Sequence, residues 1–264
     1  MNKKYKSKIR LNSAEYEIII PSDLITMEYS TDLSALDFDI IMFLLYNSKK
    51  YYNKKYYNSI DYLKDDMDKF ELFSLLKNEV IKFDMTELMH FAGMDKDKRK
   101  YISKRLKNID KVTVHTNVFN KGVDTIKKPT DPKQLSLILN MNYADKTYKL
   151  DADIFYKLLY SKPPYSIVRL TTTVNLMDTQ SKLMYQIIID YQSLKQKQIT
   201  KTIKQWKKAL NLPKGYIYPK QFIDRVKEIA YEIYYTTPFS ITSVYKDKDS
   251  KSATTMTIKF TRNK

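Results

Sequence analysis

Four lysines fall in line along one predicted helix. In "DKDKRKYISKRLKNI" (95–109), at 100° per residue, Ile102, Leu106 and Ile109 share one side. The opposite side carries Lys96, Lys100, Lys104 and Lys107, with Asp97 among them and Ser103 and Arg105 on the flanks. A row of long cations suits a phosphate backbone, and a short hydroxyl such as Ser103 can come close to a base edge. Alone, such a face is more often that of a solvated helix. What precedes it changes the reading. A short apolar helix and a turn at Gly93 come first, and in a helix-turn-helix the second helix enters the major groove.

A second stretch has the same shape. In "KQFIDRVKEIAYEIYY" (220–235), Phe222, Val226, Ile229, Ala230 and Ile233 form the predicted buried stripe. Lys220, Asp224, Lys227, Glu228 and Tyr231 lie opposite, with Gln221 and Arg225 on the flanks. Recognition helices read mainly with their N-terminal residues, here Lys220, Gln221 and Arg225. Glutamine pairs with adenine and arginine with guanine, each worth about 1–3 kcal/mol of discrimination. The end from Ile229 to Tyr235 is read as core. Between Asp190 and Asp224 no acid occurs, while Lys195, Lys197, Lys201, Lys204, Lys207, Lys208, Lys214 and Lys220 do. Lys201 and Lys204 of a predicted short helix (199–212), Lys214, Tyr216 and Tyr218 of the turn "PKGYIYP", and Lys246, Lys248 and Lys251 of a basic wing complete the candidate DNA contacts. Trp206 is expected to pack between helices.

Other chemistry finds little support. The three glycines, Gly93, Gly122 and Gly215, form no phosphate-cradling motif. The two histidines, His90 on an apolar helix face and His115 in a strand, do not make the His-x-His pair of a rolling-circle nicking enzyme. Cysteine is absent, which removes thiolate zinc sites and disulfides and fits a cytoplasmic protein. The acidic "DYLKDDMDKFE" (61–71) reads as a solvated loop or helix face. No catalytic residue, metal or cofactor is expected. No apolar run approaches the ~18 residues of a membrane span. A net charge of +17 on a chain that is 43% hydrophobic points to a folded protein with a polyanionic partner. Richness in Lys, Asn, Ile and Tyr is also what AT-rich coding produces, so the argument rests on where the charge lies.

The elements that must position these residues occur twice in one order. Residues 1–12 read as a mobile basic arm, 15–20 as a strand, 32–48 as a helix capped by Asp32 or Ser34, and 49–62 as a loop. Helix, turn and basic helix (84–109) precede strands at 111–119 and 135–143, joined by a loop. After "SKPPYS" (161–166) come a helix (178–194), the short helix, the turn and the longer helix. Strands at 239–247 and 254–262 close the chain. This is an α+β chain of two tandem winged-helix domains, with expected bounds 13–148 and 149–264. The repeat is one of architecture, not of residues.

In this order the sequence resembles the plasmid replication initiators that bind iterons, the RepE- and Pi-like family. "SDLITMEYSTDLSALDFDIIMFLL" (22–45) is similar to the family's opening, "LDADIFYKLLYSKPPYSIVRL" (150–170) to its inter-domain region, and "SKLMYQII" (181–188) to the helix beginning its second domain. "LNLPKGYIYPKQFIDRVKEIAYEI" (210–233) is the nearest piece, through Phe222, Arg225, Val226, Ala230, Glu232 and Ile233, and "TTMTIKF" (254–260) matches the closing strand. The resemblance implies binding to direct repeats of double-stranded DNA at an origin. It also implies a homodimer joined through the first domain, contacts with host replication proteins and no membrane. Asp224, Glu228 and the Tyr/Lys-rich 49–82 depart from the family pattern. The competing readings are a repressor of the same fold, a metal-dependent nicking enzyme, and a phage or membrane-surface protein acting by bulk charge.

Overall fold

The computed structural model describes residues 16–25, 27–56, 69–115, 134–159, 165–212, 219–246 and 255–263. Strand β1 (Glu17–Pro21), a helical turn α1 (Ser22–Ile25) and strand β2 (Glu28–Tyr29) lead into the long helix α2 (Ala35–Tyr56). Helix α3 (Lys69–Asn78), strand β3 (Ile81–Lys82) and helices α4 (Met85–Phe91) and α5 (Arg99–Ile109) follow. Then come β4 (Thr113–His115), β5 (Gln134–Ser136), β6 (Ile138–Asn142) and β7 (Thr147–Leu150). Helix α6 (Ala152–Leu159), β8 (Tyr165–Arg169) and α7 (Leu170–Asn175) lead to α8 (Thr179–Ser193). The order closes with β9 (Gln198–Thr202), α9 (Ile203–Ala209), α10 (Pro219–Thr236), β10 (Phe239–Lys246) and β11 (Thr255–Arg262).

Helix α2 starts where the expected cap Ser34 stands. The Ser34 N–H donates to Asp37 Oδ2 at 2.9 Å and the Asp37 N–H donates back to Ser34 Oγ at 3.3 Å, a reciprocal capping box. Phe38 and the run Ile40 to Leu45 are all buried, so the N-terminal half of this helix is enclosed on every side and forms the middle of the first half's core. Helix α8, with Leu183, Met184, Tyr185, Ile187 and Ile188 buried, has the same place in the second half.

The loop expected at 49–62 is helical as far as Tyr56; residues 57–62 lie outside the described set, as do 61–68 of the acidic stretch. Tyr52 is buried edge-on against Phe155, 6.2 Å between centroids. The Tyr51 hydroxyl donates to Glu79 at 3.0 Å and Lys55 pairs with the same carboxylate at 2.6 Å. Partners at helical spacing extend α2 through a stretch whose composition suggests a loop.

Two further elements differ from expectation. The single strand expected at 135–143 is divided at Leu137: β5 pairs with β4, and β6 pairs with β7. Asn140 holds a left-handed φ of 52° where the second register shifts. The short helix expected at 199–212 is a strand followed by a helix. Strand β9 pairs antiparallel with β11, and Thr202 then caps α9 in a box with Gln205. The alternation of Ile199 and its exposed β-branched neighbours fits a wing strand better than a first helical turn. The N-terminal arm, the loop at 120–133 and residues 116–119 of the expected strand lie outside the described residues.

Each half therefore carries a helix-turn-helix beside a three-stranded antiparallel sheet, β2-β4-β5 in the first and β10-β11-β9 in the second. The halves are joined tightly. Strand β8 pairs with β1 in register Ile19↔Ile167. Helix α6 packs on α2 and α3, which ties the residues after 148 to the first half. Lys182 of α8 is wholly buried and donates to Asp39 of α2 at 2.7 Å and to the Thr173 carbonyl at 2.6 Å. Thr179 Oγ1 donates to the Leu33 carbonyl at 2.9 Å, and Lys208 pairs with Glu28 at 2.8 Å. Among the described residues no helix is long and apolar enough to cross a membrane.

Candidate nucleic-acid interface

The position of α5 is set by what precedes it. Asp84 caps α4, accepting from the N–H groups of Thr86 at 2.6 Å and Glu87 at 3.0 Å. The chain then turns at Gly93, whose φ of 63° is left-handed and open to glycine without strain. A 3₁₀ turn at Lys96–Lys98 intervenes, so α5 begins at Arg99 and not at Asp95. Ile102, Leu106 and Ile109 are buried, as the periodicity predicts.

The opposite face gathers most of the expected cations. Lys100, Ser103, Lys104 and Lys107 line one shallow open depression together with Asp97 and Arg99. At 1.5 Å per residue the row from Lys100 to Lys107 spans about 10 Å. Ser103 turns its hydroxyl to the Arg99 carbonyl at 3.1 Å. Lys107 also lies 5.6 Å from the Tyr143 ring centre. The 3₁₀ turn moves Lys96 out of the row, into a second depression with Met89, His90 and Met94. Arg99 borders both depressions. The sequence reading passed over it because a helix starting at Asp95 gives Arg99 no special place.

Arg105 points elsewhere. Its Nη2 donates to Asp37 Oδ2 at 2.7 Å and also to Ser34 Oγ, so the guanidinium sits on the capping box of α2. Its side chain is 22% exposed and that of Asp37 only 7%.

The second unit repeats the theme. Helix α10 buries Phe222, Val226, Ile229 and Ile233, while Ala230 is half-buried. Gln221 is exposed at its N-terminal end, and Asp224 and Lys227 pair on the surface at 3.3 Å. Arg225 is 21% exposed, with both terminal nitrogens engaged. Nη1 donates to Glu228 at 2.6 Å, Nη2 donates to Gln180 at 2.9 Å, and Nη2 pairs with Asp178, the N-cap of α8. Both arginines, expected as DNA contacts, turn from the flank of their helix toward an aspartate of a neighbouring one. The other end of α10 also differs from expectation. Tyr231, Tyr234 and Tyr235 are 59%, 53% and 64% exposed, with Tyr235 tilted against Tyr231 and edge-on to Tyr234, so only Ile229, Glu232 and Ile233 of that end are buried.

Lys204 is exposed on α9, and Lys201 is half-buried on β9, where burial lowers the pKa of its ammonium. Trp206 is wholly buried, its indole N–H donating to the Met256 carbonyl at 3.1 Å, so it pins α9 to the wing sheet. Lys214, Tyr216, Tyr218, Lys248 and Lys251 lie outside the described residues; for Lys220 and Lys246 only the backbone is described, in α10 and β10. His90 is exposed, not set in an apolar face. Among the described residues no three His, Asp or Glu side chains gather in a way that could hold a metal ion.

No protein-family model matches the chain, and no curated protein matches it in sequence. Solved structures do match in fold. The Pi initiator protein in complex with iteron DNA aligns over 91% of this chain and 98% of its own, at 14% identity and a TM-score of 0.52. Domains 2 and 3 of RctB align over 89% of this chain and 85% of theirs, at 8% identity and a TM-score of 0.44. The chain has the α+β fold of two tandem winged helices, shared with the first of these along nearly its whole length.

Proposed function

We propose that this chain is a sequence-specific double-stranded DNA-binding initiator of plasmid or phage-plasmid replication, working without catalysis. The observation that carries the proposal is the exposed row Arg99, Lys100, Lys104 and Lys107, with the half-buried Ser103 among them, on the second helix of a helix-turn-helix. A fold shared with an initiator seen on iteron DNA supports it. Helices α5 and α10 enter major grooves on one side of the duplex, roughly one helical turn apart. Lys100, Lys104, Lys107 and Lys204 meet phosphates, and Ser103 and Gln221 approach base edges. Lys214, Tyr216, Tyr218 and Lys220 are further contacts of the second unit, and Lys246, Lys248 and Lys251 of its wing meet the backbone or the minor groove. The second unit begins near residue 170, since β8 pairs with β1. A homodimer through the first unit and contacts with host replication proteins complete the proposal.

The test is replication itself. A minimal circle carrying this gene and its flanking DNA should persist in a bacterial host, with direct repeats in the flank protected by the protein. A circle that is lost while the repeats are still bound would favour a repressor of the same fold. A site-specific nick in supercoiled DNA with divalent metal would favour an enzyme.

A further inference from the structure

The two reading helices align at the buried stripe and at three cations, while Ser103 and Lys104 stand against Ile223 and Asp224. Counted from Arg99 and from Pro219, the buried residues coincide: Ile102 with Phe222, Leu106 with Val226, Ile109 with Ile229. Lys100, Arg105 and Lys107 coincide with Lys220, Arg225 and Lys227. The repeat therefore does reach individual residues. The paired arginines do the same thing. Arg105 reaches back to the capping box at the start of α2, and Arg225 to the N-cap of α8. Each binds its reading helix to the N-terminus of the long central helix of its own unit.

We propose that Arg105 and Arg225 are equivalent positioning residues, and that sequence discrimination depends on these clamps and not on a guanidinium–base contact. The proposal rests on the DNA-reading function above. A bidentate contact to guanine needs the planar N–H fork. In Arg225 both Nη atoms of that fork are already given to Asp178, Gln180 and Glu228. Withdrawing Arg105 would leave Asp37 a nearly buried carboxylate without its cation. The clamp has a mechanical consequence. The apolar stripe sets how deeply the helix sits, and a charged contact on its flank sets its roll. At a side-chain radius of about 5 Å, a roll of about 20° moves a tip by about 2 Å. That exceeds what a hydrogen bond tolerates.

The test uses the full chain and a duplex that the wild type enriches from a random-sequence pool, against a scrambled duplex of equal composition. Asp178→Asn keeps an N-cap, because asparagine caps as well as aspartate, but removes the charge. Asp178→Asn and Arg225→Gln should each lower the affinity ratio of the two duplexes about tenfold, and the double variant no further, as coupled residues do. The slope of log affinity against log salt should match the wild type, because no phosphate contact is lost. Asp37→Asn with Arg105→Gln gives the same test in the other unit, should one pair fail to fold by circular dichroism. Asp178→Asn leaving the ratio intact while Arg225→Gln abolishes it would overturn the proposal and make Arg225 a base reader. A slope that falls by about one in Arg225→Gln would overturn it in favour of a phosphate contact. A wild type that enriches no duplex would sink the DNA-reading function, and the clamp's purpose with it.

Discussion

The ion pair between Lys182 and Asp39 holds one half of the molecule to the other, and removing one member should be costly. Lys182 has no exposed side-chain surface and Asp39 has 9%. In Lys182→Met the methionine fills most of the volume, but the Asp39 carboxylate loses its ammonium in a nearly dry site. Breaking a buried pair from one side costs about 3–5 kcal/mol. The Thr173 carbonyl also loses a charged donor at 2.6 Å, a loss of about 1–3 kcal/mol if water does not replace it. These costs overlap, so about 4 kcal/mol is expected for the single variant. At about 2–4 °C per kcal/mol for a chain of this size class, the melting temperature should fall by about 8–16 °C. Lys182→Met with Asp39→Leu removes both charges and should regain part of the loss, leaving the Thr173 carbonyl deficit of about 1–3 kcal/mol. Thermal melts by circular dichroism at pH 7 and fixed salt would rank wild type, double, then single. A single variant melting within about 2 °C of wild type, or a double variant less stable than the single, would show that the two charges are not desolvated together.

Three further outcomes follow from named contacts. Lys104→Ala should weaken selected and scrambled duplexes equally and reduce the log–log salt slope by about 0.9, read by fluorescence anisotropy across a salt series; an unchanged slope would take Lys104 off the backbone. Hydrogen bonds from the Glu87 and then the Thr86 N–H hold the Asp84 carboxyl below its usual pKa of 3.8. Its charge therefore adds stability that is complete above the ordinary carboxylate range and fades as pH falls through the lowered value. Asp84→Ala should cost about 1 kcal/mol at pH 7, while Asp84→Asn keeps most of the cap and loses the acid-side dependence, measured by melts across pH. Tyr148→Phe should cost only about 1 kcal/mol in urea titration, because Ser48 Oγ still donates to the Leu44 carbonyl at 2.7 Å.

What was legible in the sequence was periodic. Ile102, Leu106 and Ile109 declare a phase, and the phase puts Lys100, Lys104 and Lys107 outward whatever α5 packs against. Strands of the wings were legible for the same reason, wherever alternation ran long enough. Strand β9 was not, since its five residues run directly into α9 and only pairing with β11 separates them. Lys96 was misplaced by a 3₁₀ turn, which shifts the phase before the helix proper begins. The end of α10 from Ile229 to Tyr235 reads as core, yet the wheel already sets Tyr231 opposite the buried stripe, and Tyr234 and Tyr235 are exposed with it. The stripe from Phe222 to Ile233 already fills the side facing α8 and β10, and nothing is left for Tyr231, Tyr234 and Tyr235 to pack under.

The arginines fail for a different reason. A wheel places Arg105 and Arg225 on a flank, where a side chain can turn outward or toward a neighbouring helix. Which way it turns depends on an acid 68 residues upstream for Arg105, and on a glutamine 45 residues upstream for Arg225. No local pattern carries that information. The two solutions also differ in chemistry. The first uses a serine–aspartate capping box and the second a single aspartate cap with a glutamine beside it. Had the arginines been placed by what they touch on DNA, their acidic partners would be free to vary in place as well as in kind. Instead both partners are aspartates, Asp37 and Asp178, and both sit at the N-terminus of the unit's central helix. That combination fits a requirement on the angle of the reading helix, met once in each unit.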